Sequence, residues 1–236
     1  MPVFYHPDIS DTDKAIVLSE EESIHCNKVL RLGEGGAVDI FNGNGEIYKG
    51  IIQKKEKKHI IVAIKERVDN IKPRNFKIHI AIAPTKNIDR IEWFTEKAIE
   101  IGVDKISFLL SRYSERKHLR IERINKIAVS AMKQSRNPFL PQIVSIQPFE
   151  QFFSTVQESE RYIAYENTNL TQSLAKKAKL NSSYCVIVGP EGGFSETELK
   201  YAQSKKFKMV SLGENRLRTE TAGIVTCNVL NMIHLR

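Results

Sequence analysis

The sequence predicts an α/β protein in two parts, a small β-rich module over residues 1–72 and a parallel-sheet domain over residues 73–236. Up to residue 70, segments of strand length follow one another with a single helical pattern between them. From residue 76 onward, strand and helix patterns alternate. Such alternation is typical of a parallel sheet covered by helices. A chain of 236 residues is long enough to bury a core in each part.

The first module is predicted to contain four strands and one helix. Asn42-Gly-Asn-Gly45 has the composition of a hairpin turn. A capping box of Ser19 and Glu22 starts the helix, and Gly33 closes it. Pro73 cannot continue a strand ladder, so residues 71–74 are the predicted linker. The predicted strands cover 15–18, 37–41, 47–53 and 59–68, the helix covers 20–30, and the lysine-rich residues 54–58 form a hairpin tip.

The second domain is predicted to contain five strands and six helices. Its first helix begins at Asp89 as N-cap, carries Ile91 and Ala98 on one apolar stripe, and ends at Gly102. The other elements follow from the same kinds of pattern. The predicted strands are 76–83, 103–110, 161–165, 184–188 and 207–212, and the predicted helices are 89–101, 119–135, 149–156, 170–179, 196–205 and 219–235.

The net positive charge of the chain comes from the second domain. Of the net +8, residues 1–72 contribute 11 Lys/Arg against 12 Asp/Glu, and residues 73–236 contribute 25 against 16. Eight basic and two acidic residues fall within 112–136. A run of this kind can be a solvated face, but its length and one-sidedness favour contact with phosphates.

Several classes of protein are disfavoured by composition. No apolar run reaches the roughly 18 residues that span a bilayer, and the N-terminus lacks a signal-peptide pattern. We therefore expect a cytoplasmic protein with no membrane partner. Cys26, Cys185 and Cys227 are far apart and have no metal-ligand spacing, so we expect reduced cysteines and no metal.

Two polar, glycine-containing loops follow consecutive predicted strands, at 188–195 and 212–222. Since the carboxyl ends of parallel strands meet at one edge, the loops predict a small-molecule pocket there. The first loop could instead be a tight turn before a capped helix, because Ser195 and Glu198 form a capping box. A nucleotide is an alternative ligand, although neither loop contains a lysine or a GxxxxGK[ST] motif.

The loop sequences Gly189-Pro-Glu-Gly-Gly-Phe-Ser195 and Leu212-Gly-Glu-Asn-Arg-Leu-Arg-Thr-Glu-Thr-Ala222 resemble those of a known family. They are similar to the bacterial small-subunit ribosomal RNA uracil-N3 methyltransferases of the SPOUT class. Single motifs of this kind are weak evidence, but the combination is specific and covers nearly the whole chain. The other matching motifs are 25–31, 86–93, 97–102, 111–116 and 134–136.

The resemblance implies a fold and an activity. The fold is a SPOUT-type parallel sheet with a C-terminal trefoil knot over about 184–236, preceded by a PUA-like β-barrel that binds RNA. The activity is S-adenosylmethionine (SAM)-dependent methylation of N3 of a uridine in 16S ribosomal RNA, within the small ribosomal subunit, by a homodimer. The alternatives are a non-catalytic RNA-binding or assembly protein with the same fold, and a nucleotide hydrolase.

The loops and the resemblance together indicate two sets of binding residues. SAM would be held by close backbone approach and by two apolar walls. RNA would be held by residues of the matching motifs and of the basic segment. The predicted SAM contacts are Glu166, Val188, Gly189, Pro190, Glu191, Gly192, Gly193, Leu212, Gly213, Leu217, Thr219 and Ala222. The predicted RNA contacts are Arg31, Lys86, Arg112, Arg116, Lys117, Gln134 and Arg136.

The chemistry implied by the resemblance requires the loss of a weakly acidic proton. Uracil N3–H is closer in acidity to a phenol than to a carboxylic acid, so the anion that develops on the base must be stabilised. Arg218 is the first candidate because a guanidinium stays charged and offers paired donors, and Arg216 is the second. Glu220 and Glu191 are candidates for a general base, although Glu220 could instead charge the first turn of the last helix. The predicted catalytic pair is Arg218 and Glu220.

Overall fold

A computed structural model describes residues 1–68 and 73–235 and divides the chain into two compact units. Unit 1 consists of Met1–Pro73 with Met132–Leu140, and unit 2 consists of Arg74–Ala131 with Pro141–Arg236. Residues 132–140, which the sequence patterns assigned to the second domain, thus group with the first unit. The boundary near 72 stays a prediction, and part of the predicted linker lies outside the described residues.

Unit 1 contains a five-stranded sheet. Its strands are β1 (Val3–Tyr5), β2 (Ala15–Val17), β3 (Ala37–Phe41), β4 (Ile47–Lys55) and β5 (Ile60–Val68). In space the order is β1-β3-β4-β5-β2, with β1 parallel to β3 and the other neighbours antiparallel. Gly43 and Gly45 have φ values of 83° and 95°, which the tight turn after β3 requires. Strand β1 is absent from the sequence prediction because three residues give too short an alternation to detect.

The predicted helix over 20–30 divides into α1 (Glu20–His25) and a π-helical turn (Cys26–Leu30). The Ser19 hydroxyl accepts a hydrogen bond from the Glu22 amide at 3.2 Å, which is half of the predicted capping box. The Glu22 carboxylate instead accepts hydrogen bonds from Lys133 Nζ at 2.7 and 2.9 Å. Because both side chains are largely buried, this ion pair binds residues 132–140 into unit 1.

Unit 2 is built on a six-stranded, fully parallel sheet. Its strands are β6 (Lys77–Ile82), β7 (Lys105–Leu110), β8 (Gln142–Pro148), β9 (Glu160–Ala164), β10 (Ser183–Val188) and β11 (Lys208–Val210). The spatial order is β11-β9-β10-β6-β7-β8. Strands β7 and β8 therefore lie on one side of β6, and the later strands β9, β10 and β11 lie on its other side. The sheet therefore reverses its strand order at the β6–β10 pair, where open α/β sheets bind ligands.

Within the part of the chain that the structure describes, six α-helices belong wholly or partly to unit 2. They are α2 (Ile88–Ile101), α3 (Ile121–Ser135), α4 (Phe149–Phe152), α5 (Leu174–Lys177), α6 (Glu196–Ser204) and α7 (Thr219–Met232). The N-cap of α2 is Asn87, whose side-chain Oδ1 accepts a hydrogen bond from the Asp89 amide at 3.0 Å, so the N-cap prediction at Asp89 was wrong by two residues. The capping box of Ser195 and Glu198 is present at α6.

Helices α2 and α7 pack side by side. A Cβ atom on Gly223 would meet the ring of Phe94, so only glycine permits this approach. Farther along, the Cys227 thiol lies 3.6 Å from the Ala98 carbonyl oxygen. Burial raises the pKa of this thiol to about 12, which keeps it protonated and unreactive. No helix within residues 1–68 and 73–235 has both the length and the apolar character needed to cross a bilayer.

Candidate active site

A cavity of about 740 Å³ lies at the carboxyl edge of the unit 2 sheet. Three loops line it, each following one of the adjacent strands β9, β10 and β11. The loop segments are 164–167, 188–194 and 211–219, and Arg90 and Ala222 also line the cavity. Its volume lies in the range of small-molecule binding sites, and it lies at the carboxyl edge of the sheet, beside the β6–β10 pair where the strand order reverses.

The predicted SAM contacts are brought together in this cavity. Arg218 and Arg216 line it as well, whereas Glu220 does not. The structure thus collects into one site residues that are up to 56 positions apart in sequence, and their role as ligand contacts stays a prediction. The predicted contacts found in the lining are Glu166, Val188, Gly189, Pro190, Glu191, Gly192, Gly193, Leu212, Gly213, Leu217, Thr219 and Ala222.

The two glycine-containing loops are held against each other. The Thr219 hydroxyl donates a hydrogen bond to the Gly189 carbonyl at 2.9 Å, and Thr219 is buried. Gly193 and Gly213 have φ values of 70° and 140°, a region that other residues adopt only with strain. No atom lies within 4 Å of a Cβ built on either of them. Backbone conformation, not lack of space, therefore requires glycine at these two positions.

Gly192 is constrained differently. Its φ is not positive, but a Cβ built on it would lie 2.9 Å from the Cβ of Tyr113. The sequence predicted that this glycine allows close approach of a ligand. The structure shows that it first allows close approach of Tyr113, which follows β7. A side chain at position 192 would therefore meet Tyr113 and could also enter the cavity that Gly192 lines.

One ion pair joins two of the loops that line the cavity. Arg216 Nε lies 3.2 Å from Glu166 Oε2, and both side chains are exposed. The Glu191 carboxylate accepts a hydrogen bond from the Lys86 amide at 3.1 Å. Arg218 is also exposed, yet its guanidinium has no hydrogen bond or ion pair to any of the described residues. Arg218 is thus the cationic group most available to a ligand.

Glu220 is buried in the first turn of α7, with 7% of its surface exposed. Its Oε1 lies 3.7 Å from Arg90 Nε, and its Oε2 has no hydrogen-bond partner within the described part of the chain. Arg90 was missed by sequence reasoning, although it lies in the matching motif 86–93. The lining also contains Phe194, Glu214 and Asn215, which belong to the two predicted loops, and four residues outside them that were missed: Ala164, Tyr165, Asn167 and Ser211.

The predicted RNA contacts are divided between the two units. Arg116 is half-buried and donates hydrogen bonds to the carbonyls of Thr85 at 3.0 Å and Lys86 at 2.5 Å. It therefore fixes the loop that follows β6, which meets Glu191 of the cavity. Lys86, Arg112, Arg116 and Lys117 belong to unit 2, and Arg31, Gln134 and Arg136 belong to unit 1.

A buried polar cluster in unit 2 lies within the sheet, away from the cavity lining. His79 Nδ1 is 2.7 Å from Glu158 Oε1, and His79 Nε2 is 2.8 Å from Ser107 Oγ. Burial lowers the pKa of His79 and raises that of the nearby Cys185 thiol. Ligand atoms of His79, Glu158 and Cys185 lie within 4.8 Å of one another, a grouping that could hold a metal ion. Both imidazole nitrogens are nevertheless engaged in hydrogen bonds, and the predicted absence of a metal stays a prediction.

An all-parallel sheet with a loop-lined cavity at its carboxyl edge defines an α/β ligand-binding domain. The model of an RNA methyltransferase domain matches residues 72–231, and the model of an RNA methyltransferase PUA domain matches residues 18–65. The first match alone spans more than half of the chain. The chain therefore belongs to the RNA methyltransferase family.

Individual relatives agree with this assignment over nearly their whole length. A "Ribosomal RNA small subunit methyltransferase E" of Aquifex aeolicus is 29% identical over 236 residues, covering 98% of this chain and 99% of the relative. A structure described as a probable rRNA methyltransferase of Porphyromonas gingivalis is 36% identical, with a TM-score of 0.89 and coverage of 100% and 99%. A Legionella pneumophila methyltransferase structure containing bound SAM is 27% identical, with a TM-score of 0.89 and coverage of 98% and 96%.

Proposed function

We propose that this protein is a cytoplasmic, SAM-dependent methyltransferase that modifies N3 of one uridine in 16S ribosomal RNA, within the small ribosomal subunit. The observation that carries the proposal is the cavity at the ends of β9, β10 and β11, lined by the loops that resemble the family. Relatives over nearly the full length are named small-subunit methyltransferases, and one structural relative contains SAM.

The residues of the cavity fit SAM. Gly193 and Gly213 carry no side chain that would narrow the space, and Leu217 and Ala222 provide apolar surface. Three carboxylates, those of Glu166, Glu191 and Glu214, match the three guanidinium groups among the described lining residues in number, so the lining carries no net positive charge against the sulfonium. When bound, SAM supplies an electrophilic methyl group on a cationic sulfur. Thr219, through its bond to the Gly189 carbonyl, keeps the two loops at a fixed separation around it.

The RNA is bound by basic groups of unit 2 and by the PUA domain. A second cavity of about 540 Å³ supports the first part of this proposal, since Arg116, His118, Arg120 and Arg123 line it beside Asp89 and Glu92. Uracil N3 lies on the Watson–Crick edge, so the target must be unpaired or turned out of its helix. Recognition of RNA shape by positive charge is consistent with the basic composition of this unit.

Calorimetry with SAM and methyl transfer to unmodified small subunits test the proposal together. We expect SAM to bind and mass mapping of the RNA to find one methylated uridine, with the methyl group on N3. A non-catalytic assembly protein would leave the RNA unmodified. Binding of ATP or GTP in place of SAM would contradict the proposal.

The protein acts as a homodimer joined through unit 2. Apolar side chains left exposed on two adjacent helices support this, with Trp93 of α2 45% exposed and Met232 of α7 52% exposed. We expect light scattering at micromolar concentration to give twice the chain mass of 27.0 kDa. Met232→Glu should shift the protein toward the monomer, because a charge would be buried at the interface. A wild-type mass of 27 kDa would contradict the dimer.

A further inference from the structure

Arg90 lines the cavity from a different part of the chain than the other lining residues. All the others belong to 164–167, 188–194 and 211–222, whereas Arg90 belongs to the first turn of α2. Its side chain lines the cavity and is 37% exposed, so its neighbours cover it only in part. A cation in this position is available to a ligand that develops negative charge.

Arg90 is paired with the buried carboxylate of Glu220. The carboxylate is 3.7 Å from Arg90 Nε, lies in the first turn of α7 and is nearly inaccessible to solvent. A carboxylate in the first turn also interacts favourably with the positive end of the helix dipole. One of its oxygens has no hydrogen bond to any described residue, which costs stability, and within the described residues Arg90 is the cationic side chain that pairs with its carboxylate. Glu220 does not line the cavity, so its contact with the site is through Arg90, which does.

Three guanidinium groups line the cavity among the described residues, and their environments differ. Arg216 is paired with Glu166. Arg218 has no partner within residues 1–68 and 73–235, and Arg90 is paired only with the buried Glu220. A uracil deprotonated at N3 carries its charge mainly on two carbonyl oxygens, one on each side of N3. Stabilising that anion therefore requires donors on both sides of the methylated atom.

On the basis of the proposed function, we infer that Arg90 is a second catalytic residue and that Glu220 is its positioning residue. Arg90 donates hydrogen bonds to one carbonyl oxygen of the target uracil, and Arg218 donates to the other. The base loses its N3 proton to solvent water, and the N3 lone pair forms the bond to the methyl carbon. The carbon–sulfur bonding pair stays on sulfur, so the negative charge of the base and the positive charge of the sulfonium are both neutralised.

Single-turnover methyl transfer at saturating SAM and small subunits tests the role of Arg90. Arg90→Gln should lower the rate by about 100-fold with little change in SAM affinity, as for loss of one anion-stabilising donor. Arg90→Lys should restore part of the rate, because it keeps the charge but not the paired donors. Glu220→Gln should lower the rate by a smaller factor, about 10-fold, because Arg90 is retained but less firmly held. Lys200→Gln is the matched control, since it removes an exposed cation that is 4.0 Å from Glu196, and its rate should be unchanged.

The pH profile separates this role from a structural one. Loss of a donor to the anion raises the pKa of the bound uracil, so the deficit of Arg90→Gln should shrink as pH rises toward 10 and the base ionises unaided. A variant that only disturbs packing would keep a constant deficit across this range. The other titratable or charged side chains that line the cavity are Tyr165, Glu166, Glu191, Glu214, Arg216 and Arg218.

The possible failures are distinguishable. Inactivity of the wild-type protein toward small subunits would contradict the proposed function itself. With an active wild type, a normal saturated rate for Arg90→Gln would overturn the inference. A raised dissociation constant for SAM with a normal saturated rate would overturn it as well, because Arg90 would then bind the carboxylate of the cofactor. Thermal melting identifies unfolded variants, and Arg90→Lys, which keeps the charge beside Glu220, supplies the rate if Arg90→Gln does not fold.

Discussion

Arg218→Ala is expected to lower the rate of single-turnover methyl transfer by about 100-fold or more, with SAM affinity nearly unchanged. The reason is the state of this guanidinium: it lines the cavity, is exposed, and has no ionic partner among the described residues. Such a group can stabilise charge that appears only in the transition state. Arg218→Lys should recover part of the rate, since lysine keeps the charge but lacks the planar pair of donors.

A phosphate-binding role for Arg218 predicts a different result. RNA binding would weaken, its dependence on salt would become shallower, and the rate at saturating RNA would be normal. Arg216→Ala provides a comparison within the same loop, because its guanidinium is already paired with Glu166 and its loss should affect the rate less. A near wild-type rate for Arg218→Ala at saturation would contradict the catalytic assignment.

Gly192→Val is expected to reduce SAM affinity by about 100-fold or more while the protein remains folded. Gly192 is exposed and lines the cavity, so the added side chain both occupies the space of the cofactor and meets Tyr113. Displacing an exposed loop costs little of the stability of the sheet beneath it. Calorimetry with SAM measures the affinity, and circular dichroism confirms the fold.

Two further variants show which contact is responsible. Gly33→Val is the matched control, because no atom lies within 4 Å of a Cβ at this exposed loop position of unit 1, and SAM affinity should not change. Combining Gly192→Val with Tyr113→Gly removes the clash between the two Cβ atoms. If the double variant regains normal affinity, the loss came from displacement by Tyr113, and direct contact of Gly192 with SAM is contradicted.

Local sequence patterns were sufficient to predict an element when the element is determined by its own residues and not by distant ones. Strand β3 was predicted with its observed bounds, and β10 differs by one residue, because a short and mainly apolar segment followed by a turn or loop is a local signal of a buried strand. The capping box at Ser195 was predicted since both of its hydrogen bonds lie within four residues of the chain. Strand β8 was missed because it lies at the sheet edge and mixes polar with apolar residues over 142–148.

Patterns failed where a distant residue competes for a local group. Glu22 was expected to complete the capping box of α1, but its carboxylate binds Lys133, which is 111 positions away. Gly192 was expected to face only a ligand, and Tyr113 also approaches it. In both cases the sequence identified the residue and not its partner.

The sequence by itself determined the class of fold, the positions of the two loops and, through their resemblance, the family. These features depend on periodicity and on residue types within a few positions of one another, which are local properties of the chain. Only the tertiary structure decided that Arg90 joins the cavity, that Glu220 is buried behind it, and that Arg216 is paired with Glu166 while Arg218 is not. Charge pairing and burial depend on distances between residues far apart in sequence, and folding alone sets those distances.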